Sequence, residues 1–496
     1  MAIVGGGITG LTSAVLLAAE GRSVAVLEAR TIGNGVTAGS TGHLTQILDT
    51  RYADLERQLD AERTRLVARS SAEAIDQIAE LVDRSRIDCG FERVPGYLYT
   101  EREEHVDNLE RELDAAARAG LVVQRHEVPL PFVTRAGFRV ENQAQIDPLA
   151  YVCGLAGKLV QLGRQQGHDK GCHLLEQARV VAIDEGEPCR VHLESGTTLT
   201  ASRIILATHV PLNRVLLTPR VAQYRSYVLS GPAPNTVAGL FWDTEDPYHY
   251  LRRHRVGDEY HWLLGGADHK TGKEPGAPDP FLALREYGQR LGMSRISEYW
   301  SAQVVEPADG LPLIGRNALS QRVYVATGFS GNGLTYGTLA AMILRDACLD
   351  RPNPYAKLYA ATRVESVAAL GSVLGESVDF PLHLLSDALL PPEARSLDEI
   401  DRGEGKTIRV DGERLVVYRD LHGMLHVVSP VCTHLGCHVR FNAAEATWDC
   451  PCHGSRFDVE GRVLDGPAMR NLEHRELDDA PPDTPADLQP AIVPAT

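Results

Sequence analysis

Ala2-Ile3-Val4-Gly5-Gly6-Gly7-Ile8-Thr9-Gly10 sets an apolar strand directly before a G-x-G-x-x-G turn, and an apolar helical run follows through residue 19. A second strand, residues 23–27, ends in Glu28, followed by Ala29 and Arg30. The glycines let backbone amides approach a pyrophosphate at the helix N-terminus, while the terminal acid suits a pair of ribose hydroxyls. A lone glycine fingerprint is weak. With strand, helix, second strand and acid in place, it predicts a Rossmann-like α/β nucleotide-binding domain.

Three further stretches bear on which nucleotide is bound. Residues 180–183 and 190–193 read as strands, with Val181 a candidate cofactor contact, and residues 203–209 form an apolar strand ending in small residues that include Ala207 and Thr208. Asp309-Gly310-Leu311-Pro312-Leu313-Ile314-Gly315 comes shortly before Val323-Tyr324-Val325-Ala326-Thr327-Gly328-Phe329-Ser330-Gly331-Asn332-Gly333-Leu334-Thr335. The latter is a strand entering a glycine-rich turn and then a helix, a second place for amides to meet a cofactor. This set resembles the flavoprotein family of D-amino-acid oxidase, glycine oxidase and the sarcosine and dimethylglycine dehydrogenases. The resemblance implies FAD bound by a glutathione-reductase-type domain, covered by a substrate domain with an antiparallel sheet. No second fingerprint follows a strand elsewhere, since Gly403-Glu404-Gly405 lacks the third glycine. The flavin is therefore expected to take electrons from an organic substrate and not from a nicotinamide.

The expected substrate domain contains strand-like runs at 224–229, 248–253 and 260–264. Period-two alternation puts Tyr248, Tyr250 and Arg252 on one face, so Tyr250 and Arg252 are candidates to orient a substrate carboxylate. Asp246, His249 and His254 match the spacing of iron-binding residues in Rieske oxygenases. Strand parity sends the two histidines to opposite faces, however, which argues against shared iron. Thr37-Ala38-Gly39-Ser40-Thr41-Gly42-His43 resembles the loop in which a dehydrogenase histidine binds flavin covalently, but Gly42 replaces the usual tryptophan. The reading preferred is a loop whose Ser40 and Thr41 hold the cofactor, with His43 beside it.

Near the C-terminus stand Cys432-Thr433-His434-Leu435-Gly436-Cys437 and Cys450-Pro451-Cys452-His453-Gly454-Ser455. Two thiolates and two imidazoles from two loops suit a [2Fe–2S] centre with Cys₂ on one iron and His₂ on the other. Tetrahedral zinc is the rival, though it needs neither the second cysteine of each string nor the Gly-Ser. The ligands assigned are Cys432, His434, Cys450 and His453. The region resembles a Rieske domain of the respiratory and photosynthetic type, which implies a Cys437–Cys452 disulfide and makes 466–468, Gly-Pro-Ala, the loop covering the cluster. Respiratory members carry Ser-x-Tyr after the second box. Here Ser455-Arg456-Phe457 loses the phenol, so a lower potential is expected.

The chain of 496 residues suggests several domains, and 43% hydrophobic with 23% charged residues is ordinary for a globular protein. A formal charge of −16 argues against nucleic acid as partner. No apolar run reaches the roughly 18 residues of a membrane span. The apolar strand at residue 2 leaves no room for a signal peptide, pointing to the cytoplasm. The expected organisation is residues 1–365 as the oxidoreductase, with cofactor parts 1–80, 141–220 and 301–365 and substrate parts 81–140 and 221–300. A linker at 366–396, a Rieske domain at 397–478 and a disordered tail at 479–496 complete it. The expected function is an FAD-dependent dehydrogenase acting on an amine or amino-acid-like C–N bond, with the cluster passing single electrons to an external acceptor. The alternative reverses the flow, so that the cluster feeds the flavin.

Overall fold

The first strand, Ala2–Val4, pairs in parallel with Ala25–Leu27 on one side and Ile204–Leu206 on the other. A computed structural model describes residues 1–166, 171–210, 220–234, 236–273, 279–363 and 391–475. Its central sheet has six strands, continuing outward to His173–Leu175 at one edge and to Val323–Thr327 and the antiparallel Leu313–Arg316 at the other. The helix Ile8–Ala19 is buried along almost its whole length and packs against Pro148–Gln166 and Gly333–Cys348. Such all-round apolar character belongs to a helix enclosed by other layers. It can sit this close because residue 10 is glycine: a Cβ there would lie 1.9 Å from the Gly5 carbonyl oxygen. A small antiparallel sheet of Val180–Asp184, Cys189–Leu193 and Thr198–Ala201 flanks this layer.

The second layer is a nine-stranded sheet. It is antiparallel as expected except where Leu240–Asp243 runs parallel to Glu92–Thr100. Two of its strands cross the expected boundaries: Glu298–Pro307 stays in this sheet past residue 301, and Ala136–Gln145 runs beyond 141. Three charged stretches fold as the helices Tyr52–Gln58, Ala61–Ser85 and Val106–Ala119. In the second of these, Asp60 accepts from the Arg63 amide as N-cap. Residues 354–363 form turns that hydrogen-bond to Ile314. The expected linker through residue 390 and the expected tail lie outside the described residues.

The C-terminal part has two small antiparallel sheets, one of Glu404–Val410, Glu413–Arg419 and Leu425–Val428 and one of four shorter strands. Val416, Val428, Trp448 and Phe457 fill a core between the two cysteine-bearing loops. This all-β unit rests on the nine-stranded sheet. Among the described residues, no helix is long and apolar enough to cross a membrane.

Candidate functional site

A cavity of about 330 Å³ opens where the first strand meets its helix. Gly5, Gly7, Ile8 and Thr9 line it, with Glu28, Ala29, Arg30, Ser40, Thr41, His43, Ala207 and Thr208. Ser330, Gly331, Asn332, Gly333 and Leu334 supply a second glycine-rich edge. Both edges are helix N-termini, where free amides and the helix dipole favour an anionic or polar ligand. Glu28 is held in place by the amides of Gly6 (2.7 Å) and Arg30 (2.8 Å).

Five expected contacts do not line this cavity. Gly10 lies against Gly5, and Gly328 packs on Pro307. Thr335 is buried, its hydroxyl taking the Thr45 amide. Val181 points outward while its neighbour Val180 lines the wall. Gly315 sits in the edge strand beside Ala361, on the far side of the sheet.

From the nine-stranded sheet, Ser226, Trp242, Tyr248 and Tyr250 also line the cavity. Tyr250 and Ser226 share a hydrogen bond of 2.9 Å, and the Tyr248 phenol donates to Asp268 at 3.1 Å. Burial raises the Asp268 carboxyl to about 7, against the stabilising hydrogen bonds from Ser226 and Tyr248. Arg252 is a correction. Its guanidinium is buried and donates to the carbonyls of Thr41, Ile146 (3.0 Å) and Arg253 (3.1 Å), so no fork faces the cavity. It braces the Thr41 loop instead of meeting a carboxylate.

His43 bonds Thr41 Oγ1 through Nδ1 at 2.9 Å and lies beside the rings of Trp242 and Tyr250. Burial, reinforced by Arg252, brings it down to about 3, which keeps the imidazole neutral. The missing tryptophan has a steric reason: Gly42 has φ +80, and a Cβ there would be 2.1 Å from the Ile146 oxygen. His249 bonds Asp243 at 2.8 Å and stacks on Tyr287 at 4.0 Å, whereas His254 stands opposite His261. These two histidines are spent separately.

In the C-terminal unit, the strings deliver their side chains to one place. The Cys432 and Cys450 thiols hydrogen-bond to each other, which takes Cys432 down and pushes Cys450 up. Amides of His434 and Leu435 and the Ser455 hydroxyl point at Cys432 sulfur, while amides of Cys452 and His453 point at Cys450. The imidazoles of His434 and His453 lie 4.9 Å apart, and their buried Nδ1 atoms make no hydrogen bond. Cys437 and Cys452 form a disulfide across the two loops. Ser455 Oγ also accepts from the Ala468 amide at 2.9 Å, which anchors the proline loop. Phe457 is fully buried in the core.

That loop has a second role which the sequence did not disclose. Residues 463–469 form part of the wall of the 330 Å³ cavity. Behind it, the strand Val221–Pro232 and its partner Glu298–Pro307 separate the two units. Ser226, Ala302 and Val304 line the cavity. Arg225, Tyr227 and Ser301 bond to the C-terminal unit instead, and Gln303 both lines the cavity and bonds that unit. His209, at the end of the Ile204–Leu206 strand, also lines the cavity, and burial lowers it to about 4.

Comparison with known proteins agrees with this division. Residues 1–347 match the model of the DAO family, described as FAD dependent oxidoreductase. The chain belongs to the DAO family of FAD-dependent oxidoreductases. Residues 392–476 match the Rieske [2Fe-2S] domain, so a Rieske domain is joined to it. YhfW of Bacillus subtilis, named as a Rieske 2Fe-2S iron-sulfur protein, is 34% identical over 96% of this chain and 93% of its own. The cytochrome b6-f complex iron-sulfur subunit 1 of Nicotiana tabacum is 43% identical over 18% of this chain and 37% of its own. Glycine oxidase from Geobacillus kaustophilus shares the fold of the DAO-family part, with a TM-score of 0.59, 20% identity, 74% of this chain and 98% of that one covered. L-proline dehydrogenase from P. horikoshii does likewise, at 0.59, 17%, 73% and 96%.

The protein is thus an oxidoreductase with two cofactors, FAD and a Rieske [2Fe–2S] cluster, and the residues present fit both. Two amide-rich helix starts with an acid between them suit a dinucleotide. Paired thiols facing two imidazoles with open Nδ1 atoms match the Cys₂His₂ donor set, and the disulfide withdraws the two cysteines that a wider metal site would use.

Proposed function

We propose that the chain is an FAD-dependent dehydrogenase that oxidises an amine or amino-acid-like C–N bond and delivers the electrons singly, through its Rieske cluster, to an external acceptor. One observation carries this reading: the proline loop of the Rieske domain is a wall of the FAD-family cavity. A two-electron acceptor and a one-electron carrier placed side by side suit splitting an electron pair. A flavin discharging straight to oxygen would need no such neighbour.

FAD supplies a hydride acceptor, and the cluster supplies a one-electron carrier. The side chains do the rest. Gly5, Gly7 and the 330–334 turn bind and orient the dinucleotide. Tyr250, Ser226 and Trp242 shape the space open to substrate. An amine must lose its ammonium proton before it can give up a hydride, and Tyr248 with Asp268 forms a hydrogen-bonded path along which that proton can leave. Arg252, occupied by carbonyls, does not reach a substrate carboxylate in this reading. Neutral amines therefore belong in the same screen as amino acids.

Mixing the purified protein with candidate amines under nitrogen tests the proposal. Flavin bleaching followed by the spectrum of a reduced Rieske centre is the expected sequence. Reduction of the cluster by an added donor, followed by flavin bleaching with no amine present, would support the reverse flow instead.

A further inference from the structure

The strand Val221–Pro232 turns Arg225 and Tyr227 away from the cavity and into the Rieske domain. Arg225 is 2% exposed, and it bonds Glu445 at 2.8 Å and approaches Asp465 at 3.6 Å. From within the Rieske domain, Arg456 reaches the same two carboxylates at 3.0 Å each and also Asp449 at 3.1 Å. Ser301 donates to Glu445 as well. Two guanidinium groups and three carboxylates thus share one buried site that spans the domain boundary. Burial alone would raise Glu445 and Asp465, yet Arg225 and Arg456 bring both below the ordinary carboxylate range.

Around these charges the packing is close. Gln303 Nε2 donates to the Gly454 carbonyl at 2.7 Å, one residue from the ligand His453. Asn442 joins Tyr227 at 3.3 Å to Asp449 at 3.1 Å. A Cβ at Gly272 would lie 2.4 Å from the Pro451 nitrogen, inside the second cluster string. A mobile head group would be expected to meet its partner through solvated, replaceable contacts. Opening this site would break the Arg225 contacts to Glu445 and Asp465 together with the hydrogen bonds packed around them.

We infer that Arg225 is a positioning residue which, through Glu445 and Asp465, fixes the Rieske domain on the outer face of the flavin-cavity wall, so that electrons cross between the two centres without a domain swing. The wall combines the two paired strands with residues 463–469 of the Rieske domain itself. Each transfer takes one electron from the reduced flavin and converts one ferric iron of the cluster to ferrous. The cluster discharges to the external acceptor before the second transfer, and the flavin's proton leaves to solvent. This rests on the reading that flavin and cluster exchange electrons.

The test uses the full-length holoprotein as wild type, Arg225→Ala, Arg225→Lys and Glu445→Gln. The flavin is photoreduced without substrate, and cluster reduction is timed by its absorbance. Hydrogen exchange across residues 440–449 and 221–232 reports docking independently. Removing one member of a buried ion site is strongly destabilising, so Arg225→Ala is expected to raise exchange in both segments and slow cluster reduction by about ten-fold or more. The Rieske electron paramagnetic resonance signal should be unchanged, with Arg225→Lys recovering part of the rate. Raised exchange with wild-type transfer would overturn the inference, as would an altered cluster signal, which would place Arg225 among groups tuning the cluster itself. Should Arg225→Ala not fold, Glu445→Gln decides by the same readouts. A wild-type cluster that stays oxidised would instead sink the electron-exchange reading and leave the docking result standing.

Discussion

The two faces of the strand Val221–Pro232 carry opposite kinds of polarity. On the cavity face, Ser226 meets Tyr250, and Tyr248 meets a carboxyl raised to about 7, so protons can move near neutral pH. On the docking face, Arg225 meets carboxylates held below their ordinary range, and the charges are fixed. One sheet therefore serves chemistry on one side and geometry on the other. Changes on the cavity face should alter substrate oxidation, while changes on the docking face should alter delivery and stability.

The hardest break is Cys450→Ser. It removes a ligand from the buried thiol pair, and we expect complete loss of the Rieske signal in electron paramagnetic resonance while amine still bleaches the flavin. On the docking face, Arg456→Met leaves Asp449, Glu445 and Asp465 with one cation between them. Burial opposes the charge on Arg456, but Asp449, Glu445 and Asp465 outweigh it and hold it protonated. Its removal should therefore cost about 3–5 kcal/mol in chemical denaturation of the Rieske domain.

Asp268→Asn probes the cavity face through pH. The carboxyl titrates at about 7 in the folded state against an ordinary value of 3.8. Between those values the folded chain keeps a proton that the unfolded chain has lost, so this residue's contribution to stability falls as pH rises towards 7. Asp268→Asn should remove that slope and raise stability at pH 8, while lowering kcat/KM with amine and erasing its rise through pH 7. The smallest effect is Phe457→Tyr. Restoring a phenol beside the cluster should raise the midpoint potential by about a few tens of millivolts, read by redox titration.

The parts legible in the sequence were those in which chemistry and chain neighbours coincide. Gly5 to Gly10 with Glu28 form a unit of strand, turn and acid, and the two cysteine strings carry their ligands within a few residues of one another. Parity within one strand also put Tyr248 and Tyr250 on the cavity side. The same parity misled for Arg252, because alternation gives a face and not where along the strand the cavity ends. Gly315 resembled a cofactor turn, yet its strand is the outer edge of the sheet, and only the pairing order reveals that. The docking site left no local signal at all. Arg225 and Glu445 are 220 residues apart, one in a strand read for its aromatic residues and the other in a hairpin turn between two strands.

The most direct measurement is the rate at which the cluster is reduced after a light pulse reduces the flavin in the intact protein without oxygen, taken at several protein concentrations. A docked pair within one chain predicts a single rate that does not change with concentration. A rate that scales with concentration, or a cluster that never accepts the electron, would contradict it.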